Sequence, residues 1–139
     1  MTFHTWELYE YPSPQSSMSH VWTVKTSNQL EKPRFIFLAF QSNRKRQKEV
    51  NASRFGNCNI RNVKLFLNSQ YYPYGDLNLN IPQGQYSLLY SMFAKFQSSY
   101  FHKDPKTMLD RKTFIKHLPI IIFDCSKQNL FFTNHIFRK

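Results

Sequence analysis

Two short apolar runs limit what this chain can build. Pro33-Arg34-Phe35-Ile36-Phe37-Leu38-Ala39-Phe40-Gln41 is almost unbroken in hydrophobic side chains and is bounded by proline and polar residues. Its length and its β-branched and aromatic content mark it as a strand, and the lack of alternation predicts burial on both faces. Pro119-Ile120-Ile121-Ile122-Phe123-Asp124 is a second strong strand of similar character. The longest apolar stretches, Phe35–Phe40 and Leu118–Phe123, are far too short to span a bilayer as a helix, which needs about 20 residues.

Weaker strand signals surround these two. Thr5-Trp6-Glu7-Leu8-Tyr9-Glu10-Tyr11 is rich in strand-favouring aromatics and stops at Pro12-Ser13-Pro14; Val21-Trp22-Thr23-Val24 follows. Val63, Leu65 and Leu67 alternate with Lys64, Phe66 and Asn68, and Leu77, Leu79 and Ile81 alternate with Asn78 and Asn80. Both patterns predict half-buried strands, separated by turn chemistry at Tyr72-Pro73-Tyr74-Gly75-Asp76. Helical spacing is confined to two places. Leu88, Leu89, Met92, Phe93, Phe96 and Tyr100 recur at three- and four-residue intervals within Gln85–Tyr100. A shorter helix is predicted from Asp110, as N-cap, through Phe114 and Ile115 to His117. The tail Asn129–Lys139 could add one more strand. A chain of 139 residues fits one domain. The predicted fold class is mostly β, with one or two helices in the connections.

The chemistry is sparse. With Gly56, Gly75 and Gly84 as the whole glycine complement, neither a dinucleotide-binding nor a P-loop glycine pattern can be written. His4, His20, His102, His117 and His135 show no metal-ligand pairing, so no metal and no cofactor are expected. Asp124-Cys125-Ser126 ends a strand where a nucleophile could sit, but no glycine flanks it. A hydrolase using Cys125 is therefore the weakest reading, behind a small buried cysteine, and no enzyme is expected. Cys58 and Cys125 could form one disulfide but make no framework, which favours a reducing compartment. The N-terminus MTFHTWELYEYP carries no secretory pattern, so an intracellular, non-secreted and non-membrane protein is expected, and the Asn51-Ala52-Ser53 acceptor motif carries no weight.

Charge is the strongest remaining signal. Nineteen Lys and Arg against eight Asp and Glu give a formal charge of +11, which favours anionic partners. Much of it lies in one stretch, where Arg44, Lys45, Arg46 and Lys48 are followed by Arg54. Two readings stand: a solvated loop between strands, or a small basic nucleic-acid-binding module that neutralises phosphates through the 44–54 loop. Phe55 is the one aromatic beside it, so a stacking platform for single strands is poorly supported.

A family resemblance joins these segments. Trp6-Glu7-Leu8-Tyr9-Glu10-Tyr11-Pro12, Glu31-Lys32-Pro33-Arg34-Phe35, Asn62-Val63-Lys64-Leu65-Phe66-Leu67-Asn68-Ser69 and Tyr72-Pro73-Tyr74 stand in that order. Leu77-Asn78-Leu79-Asn80 and Asp124-Cys125-Ser126-Lys127-Gln128 complete the set. Together they resemble the double jelly-roll-like domain proteins of invertebrate genomes, relatives of the major capsid proteins of Polinton (Maverick) transposons and adenovirus-like viruses. The resemblance implies an incomplete jelly-roll sandwich over residues 1–128, part of the C-terminal jelly roll of a double jelly roll, with 129–139 as a divergent tail. Such relatives are longer on both sides of this region, so a truncated copy is expected, with unpaired edges and exposed inner-face aromatics. The implied role is that of a capsid-like structural protein of mobile-element or viral origin. It would act by self-association into trimeric, capsomer-like homo-oligomers, with Trp6, Tyr9, Phe35, Phe37 and Phe66 as packing residues rather than a site.

Overall fold

The computed structural model describes residues 5–12, 18–24, 33–41, 51, 53–67, 70–102, 104, 109–126 and 135–138. Its elements in chain order are β1 (Val21–Val24), β2 (Phe35–Leu38), β3 (Lys64–Leu67), β4 (Gln70–Tyr72), α1 (Ser87–Phe101), α2 (Arg111–His117), β5 (Ile121–Asp124) and β6 (His135–Arg138). A single 3-10 turn, Ile81–Gln83, precedes α1. The strands form two antiparallel sheets, one of four strands in the order β1-β6-β3-β4 and one of two, β2-β5. β6 comes from the tail and is central: Phe137 is opposite Trp22 on one side and Leu65 on the other.

The two apolar runs pair with each other. Phe37 stands opposite Ile122, and Ile36 opposite Phe123. Directly opposed residues share a face in an antiparallel pair, so Phe35, Phe37 and Ile122 look one way while Ile36, Leu38, Ile121 and Phe123 look the other. The first face meets α1, where Phe96 lies edge-on to both Phe35 (5.0 Å) and Phe37 (4.9 Å). The second belongs to the core shared with Leu65 and Leu67 of β3, Val63, and Phe114 of α2. Burial on both faces is thus a property of β5, whose Ile121, Ile122 and Phe123 are all buried. It is not a property of β2, as its run of apolar residues suggested, because β2 is half-buried throughout. The sandwich and the helical connection between β4 and β5 give an incomplete jelly roll. A full one carries about eight strands in two sheets.

Both helices form where the spacing predicts. In α1, Leu89 and Phe93 are buried and Met92, Phe96 and Tyr100 pack against the core, while Leu88 projects to solvent. The helix ends at His102, whose left-handed φ of 51° turns the chain away. In α2, Asp110 caps the first turn by accepting a hydrogen bond from the Thr113 N–H (2.6 Å). Phe114 is its single buried side chain and stacks near Phe93, with ring centroids 4.9 Å apart. The Tyr90 hydroxyl donates to the Leu109 carbonyl (2.8 Å), tying the approach to α2 onto α1.

Two predicted strands do not form. Residues 5–11 adopt no strand; their aromatic side chains are used for packing instead of in a ladder. Trp6 rests on Phe37 (5.1 Å) and Tyr100 (6.2 Å), and Tyr11 stacks on Trp22 of β1 (5.5 Å). At 77–81, Leu77 and Leu79 are buried in alternation as a strand would bury them. Asn78, however, is left-handed at φ 45°, which breaks the extended backbone. The segment is held by Asn62, whose side-chain oxygen accepts from the Leu77 N–H (3.0 Å) and whose amide donates to Asp76 (3.2 Å). Leu79 N–H donates to the Arg61 carbonyl at 2.8 Å.

Removing the ring that joins the helices to the sheets is therefore costly. Phe114→Ala should lower the unfolding free energy by about 3–5 kcal/mol, the range for emptying a buried phenylalanine site. Leu88→Ala should change it by less than about 0.5 kcal/mol; urea titration followed by circular dichroism measures both. The fold is also sensitive to acid. The Asp76 carboxyl is held below its ordinary value by hydrogen bonds from Lys64 and Asn62 and by the Lys64 charge. Asp110 is likewise lowered by the Thr113 N–H. A depressed folded-state pKa gives stability that is present above the unfolded carboxylate value and lost as pH falls through the folded one. The double variant Asp76→Asn/Asp110→Asn should be less stable at neutral pH and should lose less than the wild type on acidification, read as urea midpoints at each pH.

Candidate functional site

No cluster of three His, Cys, Asp or Glu side chains able to hold a metal exists among the described residues. The nucleophile candidate is closed off. Cys125 lies just beyond β5, buried, with its N–H donating to the Arg34 carbonyl at 2.8 Å. Burial, reinforced by the Asp124 charge, pushes its thiol up to about 12, so it carries no thiolate near neutral pH. Tyr72 stands close by, its phenol also raised by burial and by Cys125. Both cysteines are free thiols, and Cys58 is exposed.

One cleft of about 160 Å³ opens between the β2–β5 sheet and α1, lined by Phe35, Ile122, Met92 and Phe96, with Lys95 and Asp124 among its charged residues. Ligand pockets usually run to about 300–1,000 Å³. The cleft is mostly apolar, with Tyr72 on its lining beside Lys95 and Asp124, and it is large enough to seat a side chain.

The aromatic residues named as packing residues are placed unequally. Phe35, Phe37 and Phe66 are half-buried. Trp6 retains 59% of its surface in solvent. Its indole tops a layer formed with Phe37, Tyr100, Phe96 and Phe35. Leu8 beside it in sequence, Tyr71 and Tyr74 at the β4 turn, and Phe101 at the end of α1 are exposed as well. β1 and β4 are the outer strands of the larger sheet, and the smaller sheet has no strands besides β2 and β5 among the described residues.

Of the basic residues singled out from the sequence, Arg44, Lys45, Arg46 and Lys48 lie outside the described residues. Arg54 is exposed, in a turn where its N–H donates to the Asn51 carbonyl at 3.1 Å. The fold anchors that turn in two places. Gly56 N–H donates to the Phe40 carbonyl (2.8 Å), and Phe55 N–H donates to the His117 carbonyl at the C-terminal end of α2 (3.3 Å). Arg54 and Lys116 are each one residue from this second bond. Lys112 lies one helical turn back from Lys116, and both are exposed. Sequence reading overlooked Lys112 and Lys116. Their i, i+4 spacing on a helix was visible, but nothing local connects them to residue 54.

The described structure is an antiparallel sandwich short of strands, with a helical excursion between strands and a surface rich in aromatics and cations. A family model for the double jelly roll-like domain matches residues 1–135, and the chain belongs to that family, a fold family of viral-capsid type. No curated protein and no solved structure gives a match. No helix of the described residues is long and apolar enough to cross a membrane.

The thiols provide a direct check on this placement. A thiol-reactive chromogen should titrate Cys58 promptly in the native protein, with Cys125 reacting only after denaturation. Prompt reaction of both would contradict the burial of Cys125.

Proposed function

We propose that this protein is a capsid-like structural protein of mobile-element or viral origin, related to the Polinton and adenovirus-like capsid proteins. Its activity is self-association into trimeric, capsomer-like assemblies, without catalysis. Membership of the double jelly roll-like domain family carries the reading. Two features of the surface support it. The outer strands β1 and β4 present backbone edges of the kind that pair with other chains. The ring layer capped by Trp6 leaves a large aromatic surface in water, and aromatic side chains, tryptophan above all, dominate association energies when they become buried between chains.

The decisive measurement is light scattering coupled to size-exclusion chromatography over a range of protein concentrations. A discrete oligomer, trimeric by mass, is expected, and Trp6→Ala should weaken association by about tenfold or more, ~1.4 kcal/mol. Circular dichroism should show the Trp6→Ala monomer still folded. A folded wild-type protein that remains monomeric at every concentration would end this reading.

A further inference from the structure

The cations around α2 are not explained by the fold. Lys116 and His117 occupy the last turn, where positive charge complements the helix dipole. Arg111 in the first turn is also accounted for: its guanidinium donates to the Gly84 carbonyl (2.7 Å) and lies over the Tyr86 ring (4.6 Å). Lys112 is different. It is exposed and sits in the first turn, where the dipole disfavours a cation, and its charge is one of the influences that lower the pKa of the Asp110 carboxyl just before the helix. Arg54 likewise is exposed. Among the described residues the one salt bridge is Lys64–Asp76 (2.7 Å), so Arg54, Lys112 and Lys116 form no salt bridge there. The carboxylate preceding α2, Asp110, accepts the Thr113 N–H as a cap, and the Lys112 charge is the smallest of the influences on its pKa.

The fold gathers these charges. The Phe55–His117 hydrogen bond sets residue 54 against the C-terminal end of α2, and Lys112 and Lys116 follow along one side of the helix at i, i+4. The Phe40–Gly56 bridge holds the same turn beyond the Leu38 end of the β2–β5 pair. The opposite end of the β2–β5 pair is distinct. There Phe35 is opposite Asp124, and Arg34 and Lys95 lie near that carboxylate.

We propose that the exposed side of α2, with Arg54, is a contact surface for the phosphate backbone of double-stranded nucleic acid, read without base specificity. Phosphate neutralisation needs exposed cations outside salt bridges and spread along a surface, which Arg54, Lys112 and Lys116 provide. The large exposed apolar side chains lie on other segments, at residues 6–11, 18–21, 71–74, 88 and 101. Among the described residues the surface therefore exposes neither the large aromatics that stack single strands nor the apolar anchors of a membrane-binding helix, Phe55 being half-buried. The surface is separate from the Trp6 layer and does not depend on self-association.

The test is fluorescence anisotropy with a short mixed-sequence DNA duplex, measured as a function of salt. Binding should weaken linearly in log–log form. Lys112→Gln/Lys116→Gln should reduce the slope by about 1.8, corresponding to ~0.9 for each phosphate no longer neutralised. Lys112→Arg/Lys116→Arg should retain the wild-type slope, which separates loss of charge from loss of the helix. Arg34→Gln/Lys95→Gln removes the same formal charge at the other end of the sheet and should leave the slope unchanged. Equal loss from the α2 and Arg34/Lys95 Gln pairs would reduce the effect to net charge and overturn the proposal, as would salt-insensitive or absent binding. Binding to phosphatidylserine vesicles that depends on Lys112 and Lys116, with duplex binding independent of them, would also overturn it by assigning the surface to lipid.

Discussion

Burial of β5 on both faces is the constraint on which the rest of the structure depends. Ile121 and Phe123 face the core containing Leu65 and Leu67, and Ile122 faces the side of the sheet packed against α1. A strand so enclosed has no solvated side, so its polar backbone requires a partner, and β2 supplies one through the Phe35–Asp124 to Leu38–Ile121 register. Phe114 extends the same core to α2, and the Tyr90–Leu109 hydrogen bond ties the approach to that helix onto α1. In a protein of this size, the loss of a single such core ring removes a large fraction of the total stability.

Around that centre the sandwich leaves much apolar surface uncovered. The ring layer from Phe35 and Phe96 through Phe37 to Trp6 begins half-buried and ends in water. A subunit of a larger assembly would leave its surface in this state until a neighbour covers it. Another group of cations lies away from that layer: Lys112 and Lys116 are exposed on α2, and the Phe55–His117 hydrogen bond joins the turn carrying Arg54 to the end of that helix.

Much of the fold was legible in local patterns. The three- and four-residue spacing of Leu89, Phe93, Phe96 and Tyr100 defined α1, and Asp110 before Thr113 defined the start of α2. Strands β1, β3 and β5 were visible as short β-branched or alternating runs. The ordered set of segments also identified the family. The failures share one cause. Residues 5–11 have strand-favouring side chains, but a strand requires a neighbouring strand, and those aromatics found ring neighbours instead. Residues 77–79 preserve a strand's burial rhythm around a left-handed Asn78, because Asn62 holds the backbone from outside the segment.

By itself, then, the sequence determined the two helices, the Asp110 cap of α2, most of the strand-forming segments and the family, since each depends on residues within a turn or two of one another or on their linear order. Tertiary structure alone decided that β5, not β2, is enclosed, that Trp6 stays half in water, and that residues 55 and 117 become hydrogen-bonded across some sixty positions of chain. Those outcomes depend on which distant segments exclude water from one another, and burial between distant segments leaves no mark in the local periodicity of either.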